Sequence, residues 1–127
     1  MLPKDLRLTN QDEIRSILRS KLTSKTQHTI IKIQKSDLPN FRIVVIISKK
    51  IFKRANKRNR IRRKINGVFE ELKYNDRLPP FMSCVIQVQN KNIITQTNSL
   101  LKVELLPQLG SLFSKLVKQI QFTKMPN

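Results

Sequence analysis

The alternation of apolar and polar positions divides the chain into six main elements. Ile14, Ile17, Leu18 and Leu22 recur at helical spacing. Thr9 or Asn10 can cap that helix, and Asp12 and Glu13 fall in its first turn, where the macrodipole favours acids. The pattern predicts a helix over about 10–21. LTSKTQ (22–27) reads as a turn or short strand. HTIIKIQK (28–35) alternates, with Ile31 and Ile33 on one face and Ile30, Lys32 and Gln34 on the other. FRIVVIIS (41–48) is β-branched, nearly all apolar and too short for a helix. The loop 36–40 is short enough to predict antiparallel pairing of these two strands.

Further on, Ile61, Ile65, Val68, Phe69 and Leu72 fall at i, i+4, i+7, i+8 and i+11, one stripe of an α-helix. That predicts a helix over 56–74, closed by Pro79 and Pro80. MSCVIQV (82–88) reads as a buried strand. The long connection through the helix predicts that it runs parallel to 41–48. Gln89 to Thr97 is polar and aperiodic, a loop. Asn98 is expected to cap a short turn. Pro107 then suits the first position of a last helix. Its stripe is Leu109, Leu112, Phe113, Leu116, Val117 and Ile120, with residues 121–127 expected to fray.

The order α-β-β-α-β-α, with room for a short strand near 22–27, predicts an α+β fold. It would be a two-layer α/β sandwich on a mixed sheet of about four strands. A chain of 127 residues, 39% of them hydrophobic, predicts one domain over 1–127 with a core over about 6–122. No run approaches the roughly 18–20 apolar residues of a membrane span. The first residues carry Asp5, Asp12 and Glu13 and no apolar core, unlike a signal or transit peptide. The single Cys84 sits in an apolar run and reads as buried and structural. A cytoplasmic protein is expected.

Charge changes the picture. The formal net charge is +18. Ten of the 26 basic residues are packed into 49–64: Lys49, Lys50, Lys53, Arg54, Lys57, Arg58, Arg60, Arg62, Arg63 and Lys64. No acid lies among them. Asn59, Arg62, Arg63 and Asn66 fall on the side of the predicted helix away from its apolar stripe. Like charges at such density destabilise a helix unless an anion meets them. Lys and Arg neutralise phosphates, and Arg adds a planar fork that chelates them. Asn offers donors and acceptors to bases and 2′-hydroxyls. A nucleic acid is the expected partner. An anionic membrane surface would need an exposed apolar helix face, and these faces are required by the core. Phe52, inside the basic loop, either stacks on RNA or folds under as an anchor.

A protein-borne active site does not emerge. His28 is the only histidine. The adjacent acids Asp12/Glu13 and Glu70/Glu71 point about 100° apart on a helix, so neither pair chelates by itself. Gly67 and Gly110 are the only glycines, which excludes a Gly-rich phosphate loop. No cofactor is expected on the protein.

The stretch SKKIFKRANKRNRIRRKINGVF resembles the signature of the bacterial ribonuclease P protein component. The resemblance rests on Lys49-Lys50, Arg54-Ala55, Arg58-Asn59-Arg60, Arg62-Arg63, Ile65 and Phe69. Arg7-Leu8, the helix after it, the FRIVVIIS strand and the later VIQV strand follow in the family's order, over about 6–90, and 107–122 matches by helix pattern only. It implies a ribosomal-protein-like sandwich with a left-handed β-α-β crossover. It implies the protein subunit of an endoribonuclease that removes the 5′ leader of precursor tRNA, with Mg²⁺ and catalysis belonging to the RNA subunit. The partners would be that RNA and precursor tRNA, with no further protein required and no membrane. Lys49, Lys50, Lys53, Arg54, Lys57, Arg58, Asn59, Arg60, Arg62, Arg63 and Asn66 would bind RNA. A leader cleft between the first helix and the sheet would involve Ile14, Leu18, Ile30 and Lys32. The sequence departs from the family at Ile14 and Leu18, where aromatics are common, at Asn66, where Arg is common, and at Met82, where an acid is common. Residues 91–106 look like an insertion. The alternative is a structural RNA-binding protein such as a ribosomal protein.

Overall fold

The computed structural model describes residues 2–124, leaving out the side chains of Asn98 and of 120–124; Ile120 of the expected stripe and residues 125–127 of the expected tail lie outside the described residues. The elements are a 3₁₀ helix Lys4–Leu6, α1 Gln11–Leu18, β1 Thr23–Lys25, β2 Thr29–Lys35, β3 Arg42–Ile46, α2 Ala55–Tyr74, β4 Met82–Val88, a second 3₁₀ helix Lys91–Thr95 and α3 Asn98–Lys124. The sheet order is β1-β2-β4-β3. β1 and β2 pair antiparallel, as do β2 and β4. β3 and β4 pair parallel, as their long connection requires.

The expected pairing of β2 with β3 does not occur. β4 lies between them, bonded to β2 from Thr29↔Val88 to Lys35↔Met82 and to β3 from Arg42↔Ser83 to Ile46↔Gln87. The reason is burial. Every residue of β4 but Gln87 is buried, on both faces, and such a strand belongs at the centre. β2 and β3 each have one half-exposed face and suit the flanks. The short loop between them needs only to span one strand, about 10 Å.

The main core lies on one face of the sheet. Ile31, Ile33, Ile43, Val45, Met82, Cys84 and Ile86 meet the full expected stripe of α2 and the inner side of α3. Phe41 stacks on Phe69 with ring centroids 5.7 Å apart and planes 6° from parallel. α1 covers part of the opposite face, where Ile14 and Ile17 pack with Leu8 and Val85. It thus adds a partial third layer to the expected two. Asn10 is its cap, accepting from the Glu13 N–H at 3.0 Å.

α3 differs most from expectation. It does not start at Pro107 but runs through it. Leu101, Leu105, Leu109, Leu112 and Leu116 form one buried stripe across that proline. An interior proline costs about 3 kcal/mol. Burying Leu101 and Leu105 returns roughly 1.5–3 kcal/mol each. Pro107 is exposed, as is Val103, whose carbonyl loses its partner to the proline, so water can solvate the released group. Thr97, not Asn98, caps the helix: its Oγ1 accepts from the Leu100 N–H at 3.3 Å. The expected loop 89–97 holds the second 3₁₀ helix, with Ile93 fully buried and Asn90 Oδ1 accepting from the Asn92 N–H at 3.1 Å. The expected insertion is therefore that 3₁₀ helix and the first turns of α3.

Two outcomes follow from this packing. Pro107→Ala should raise the urea midpoint, since an exposed interior proline is replaced by a good helix former; a proline that began the helix would give no gain. Leu105→Ala should lower stability by about 2–5 kcal/mol in the same measurement.

Candidate nucleic-acid interface

The candidate interface comprises the turn after β3 and the outer side of α2. Ser48 organises the turn: its carbonyl accepts from the Ile51 and Phe52 N–H groups at 3.1 and 3.2 Å, and its Oγ from the Lys50 N–H at 3.0 Å. Phe52 is buried and part of the main core, so it is the anchor and not the stacking platform. With that ring inside, Lys49, Lys50, Lys53 and Arg54 are left in water. Arg58 locks the turn onto α2, its Nη1 donating to the carbonyls of Phe52 at 2.8 Å and Lys53 at 2.9 Å. Arg58 therefore has a structural role besides its charge.

Along α2 the residues Ile61, Ile65, Val68, Phe69 and Leu72 are buried, which fixes the rotation of the helix. Lys57, Asn59, Arg60 and Arg63 are thereby exposed, with Arg62 and Asn66 half-buried on one flank. No acid stands in the first turn, and Arg54 at the cap makes no side-chain capping bond, so the positive end of the macrodipole adds to the cations.

Two hollows flank the helix. The larger, about 600 Å³, runs along the free side of β3. It takes Asn59, Arg62, Arg63 and Asn66 from α2, Ile43, Val44 and Val45 from β3, and Leu2, Arg7, Leu8 and Thr9 from the lead-in. The lead-in is held there by the Leu8 N–H donating to the Ile43 carbonyl at 3.0 Å and by an isolated parallel bridge between Arg7 and Ile43. Arg62 Nη1 donates to Asn59 Oδ1 at 3.1 Å, and its Nε makes a long contact, 3.5 Å, to the Val45 carbonyl. The smaller hollow, about 440 Å³, brings Lys50, Lys53, Arg54 and Lys57 beside Lys91 and Ile94 of the second 3₁₀ helix. Lys64 clamps that helix to α2 by donating to the carbonyls of Ile94 at 2.7 Å and Gln96 at 3.1 Å.

Several acids pair with cations outside the basic stretch. Glu13 meets Arg42 at 2.5 Å, Glu71 meets Lys102 at 2.6 Å, and Asp12 lies 3.8 Å from Arg15. Asp5 pairs with Lys73, whose hydrogen bond holds the Asp5 carboxyl below the usual carboxylate range. Glu104 holds His28, accepting from its backbone N–H at 3.1 Å and contacting Nδ1 at 3.0 Å. His28 is thus a buried structural group. Burial pushes the Cys84 thiol far up, so no thiolate is available there. Among the described residues, no three His, Cys, Asp or Glu side chains are grouped to hold a metal ion.

The second expected site lies on the α1 face. Leu18, Ile30 and Lys32 are half-exposed there. Ile14 is buried with Ile17, Leu8 and Val85, so it supports α1 and offers no face of its own. Lys32 Nζ donates to the Leu18 carbonyl at 2.8 Å, which ties α1 to β2. Arg42 joins Glu13 to Ser83 and Ser36 beneath the start of α1. Sequence reasoning missed Thr9 and Lys91 and gave Arg7 no contact role. Lys91 stands in a polar run with no period, and only the burial of Ile93 beside it brings it to the basic face.

A sequence model of the family described as Ribonuclease P matches residues 2–116. The ribonuclease P protein component of Nitrosomonas eutropha is 34% identical over 90 residues, covering 69% of this chain and 72% of that protein. That of Nitrosomonas europaea is 27% identical over 89 residues, covering 70% and 72%. The fold matches the RNase P protein from Thermotoga maritima with a TM-score of 0.69 at 18% identity, over 81% of this chain and 94% of that one. The chain belongs to the ribonuclease P family, as a protein component.

Proposed function

We propose that this ribonuclease P subunit works as a cationic clamp between two RNAs and leaves the bond-breaking to the RNA subunit. The outer side of α2 and the turn before it bind ribonuclease P RNA. The half-exposed face formed by Leu18, Ile30 and Lys32 lies against the 5′ leader of precursor tRNA. Mg²⁺ supplies charge stabilisation at the RNA active site when bound there, and this chain's residues hold no ion themselves. The single observation that carries this reading is the cation face of α2, fixed outward by the burial of Ile61, Ile65, Val68, Phe69 and Leu72.

The physical gain from such a clamp is electrostatic. Two polyanions repel each other, and a protein with a net charge of +18 lowers that repulsion where they meet. A leader without base pairs can lie on an open sheet face beside an apolar side chain such as Leu18. No further protein is required in this scheme. No helix among the described residues is long and apolar enough to cross a membrane.

The test is reconstitution from purified protein and its ribonuclease P RNA alone. Protein alone should leave precursor tRNA intact. The RNA should cleave at a lower Mg²⁺ concentration with the protein than without it. Equal cleavage at low Mg²⁺ with and without protein would contradict the clamp.

Three classes of variant should separate. Arg60→Ala and Lys57→Ala should weaken binding to ribonuclease P RNA and lower the slope of log K against log salt by about 0.7–0.9 for each phosphate no longer neutralised, with an unchanged melting temperature. Ile65→Ala should lose about 2–5 kcal/mol of stability with the slope kept. Arg58→Ala should do both, because its guanidinium holds the turn as well as carrying charge.

A further inference from the structure

The hollow beside β3 is not lined by cations alone. Apolar Ile43, Val44 and Val45 of β3 line it together with Arg62, Arg63 and Asn66 of α2. A phosphate asks for donors and has no use for an apolar lining. A nucleobase has apolar faces and polar edges and is matched by both. A volume of about 600 Å³ admits a whole nucleotide.

Asn66 carries the second observation. Its Oδ1 is buried and has no hydrogen-bond partner. Buried polar atoms are ordinarily paired, and an orphan in a native fold calls for a reason. Its polar neighbours on α2 are engaged within the protein: Arg62 with Asn59, Arg63 with the Asn59 carbonyl at 3.4 Å, and Lys64 with the second 3₁₀ helix. An amide carries an acceptor and a donor side by side, the pattern found on base edges. Its last torsion is broad, so the amide can turn within the hollow that Asn66 lines.

We propose that this hollow is a nucleobase subsite: an unstacked base of the bound RNA rests against the apolar lining along β3, its polar edge meets the Asn66 amide, and its phosphate is held by Arg62 and Arg63. The inference rests on the RNA-binding reading above and adds to it a contact to a base. A phosphate contact tracks the backbone whatever the base; this one requires that a base be present.

The experiment compares two probes on the full-length protein: a short single-stranded RNA, and a strand of equal length and charge that is abasic throughout. Asn66→Leu should weaken the base-bearing strand roughly tenfold, in line with the worth of one two-point base contact. It should leave the abasic strand within about twofold and the salt slope unchanged. Arg62→Ala should weaken both strands and lower the slope by about 0.7. Asn66→Ala repeats the comparison in a residue that any helix accepts, should the leucine variant not fold. If both Asn66 variants bind the base-bearing strand as the wild type does, or lose both strands equally, the subsite is overturned while the RNA-binding reading stands. If the wild type binds neither strand nor ribonuclease P RNA, that reading itself fails and the subsite with it.

Discussion

The burial of one apolar stripe on α2 sets the rest of the structure. Ile61, Ile65, Val68, Phe69 and Leu72 enter the main core and leave the helix no freedom to roll. Most of the cations between 49 and 64 are then held outward, whatever their mutual repulsion. The core has to be large enough to offset that repulsion, and it is built from both sheet flanks, the central β4 and the long α3. The negative charges are engaged at a distance. Glu13, Glu71, Glu104 and Asp5 pair with Arg42, Lys102, His28 and Lys73, which tie α1 to β3, α2 to α3, α3 to the residue before β2, and the lead-in to α2. The same pairs that staple the fold keep those acids from neutralising the basic face.

The surroundings of α2 turn a charged helix into a shaped one. On one flank the lead-in closes against β3 and makes a hollow lined by apolar residues of β3 as well as by cations. On the other, Lys64 pins the second 3₁₀ helix and brings Lys91 beside Lys57. Residues that read as an insertion in this way line the hollow beside the basic turn. Arg58 shows that charge and structure are not separable within the stretch, since it both carries a cation and holds the turn that presents four others.

Much of this was legible in the sequence where periodicity and chemistry agreed. The α2 stripe, the alternation in β2 and the bounds of β4 follow from residue spacing, and the basic face follows from the stripe. The failures came where a local rule met a larger tertiary term. Pro107 signalled a helix start, yet the leucine stripe from Leu101 to Leu116 gains more than the proline costs. A short loop signalled that β2 and β3 pair, yet β4, buried on both faces at every residue but Gln87, needed the centre. Asn66 was assigned to the basic face, but that its Oδ1 is orphaned at a hollow depends on the lead-in packing beside it, which no spacing within α2 records.

The central claim, that the outward side of α2 and its preceding turn are the RNA-facing surface, is tested most directly by lysine acetylation of the full chain, free and bound to its ribonuclease P RNA, read residue by residue by mass spectrometry. Lys49, Lys50, Lys53, Lys57 and Lys91 should lose reactivity on binding, while the exposed Lys115 and Lys118 of α3 keep theirs. Protection of Lys115 and Lys118 with the residues around the turn unchanged would contradict the account.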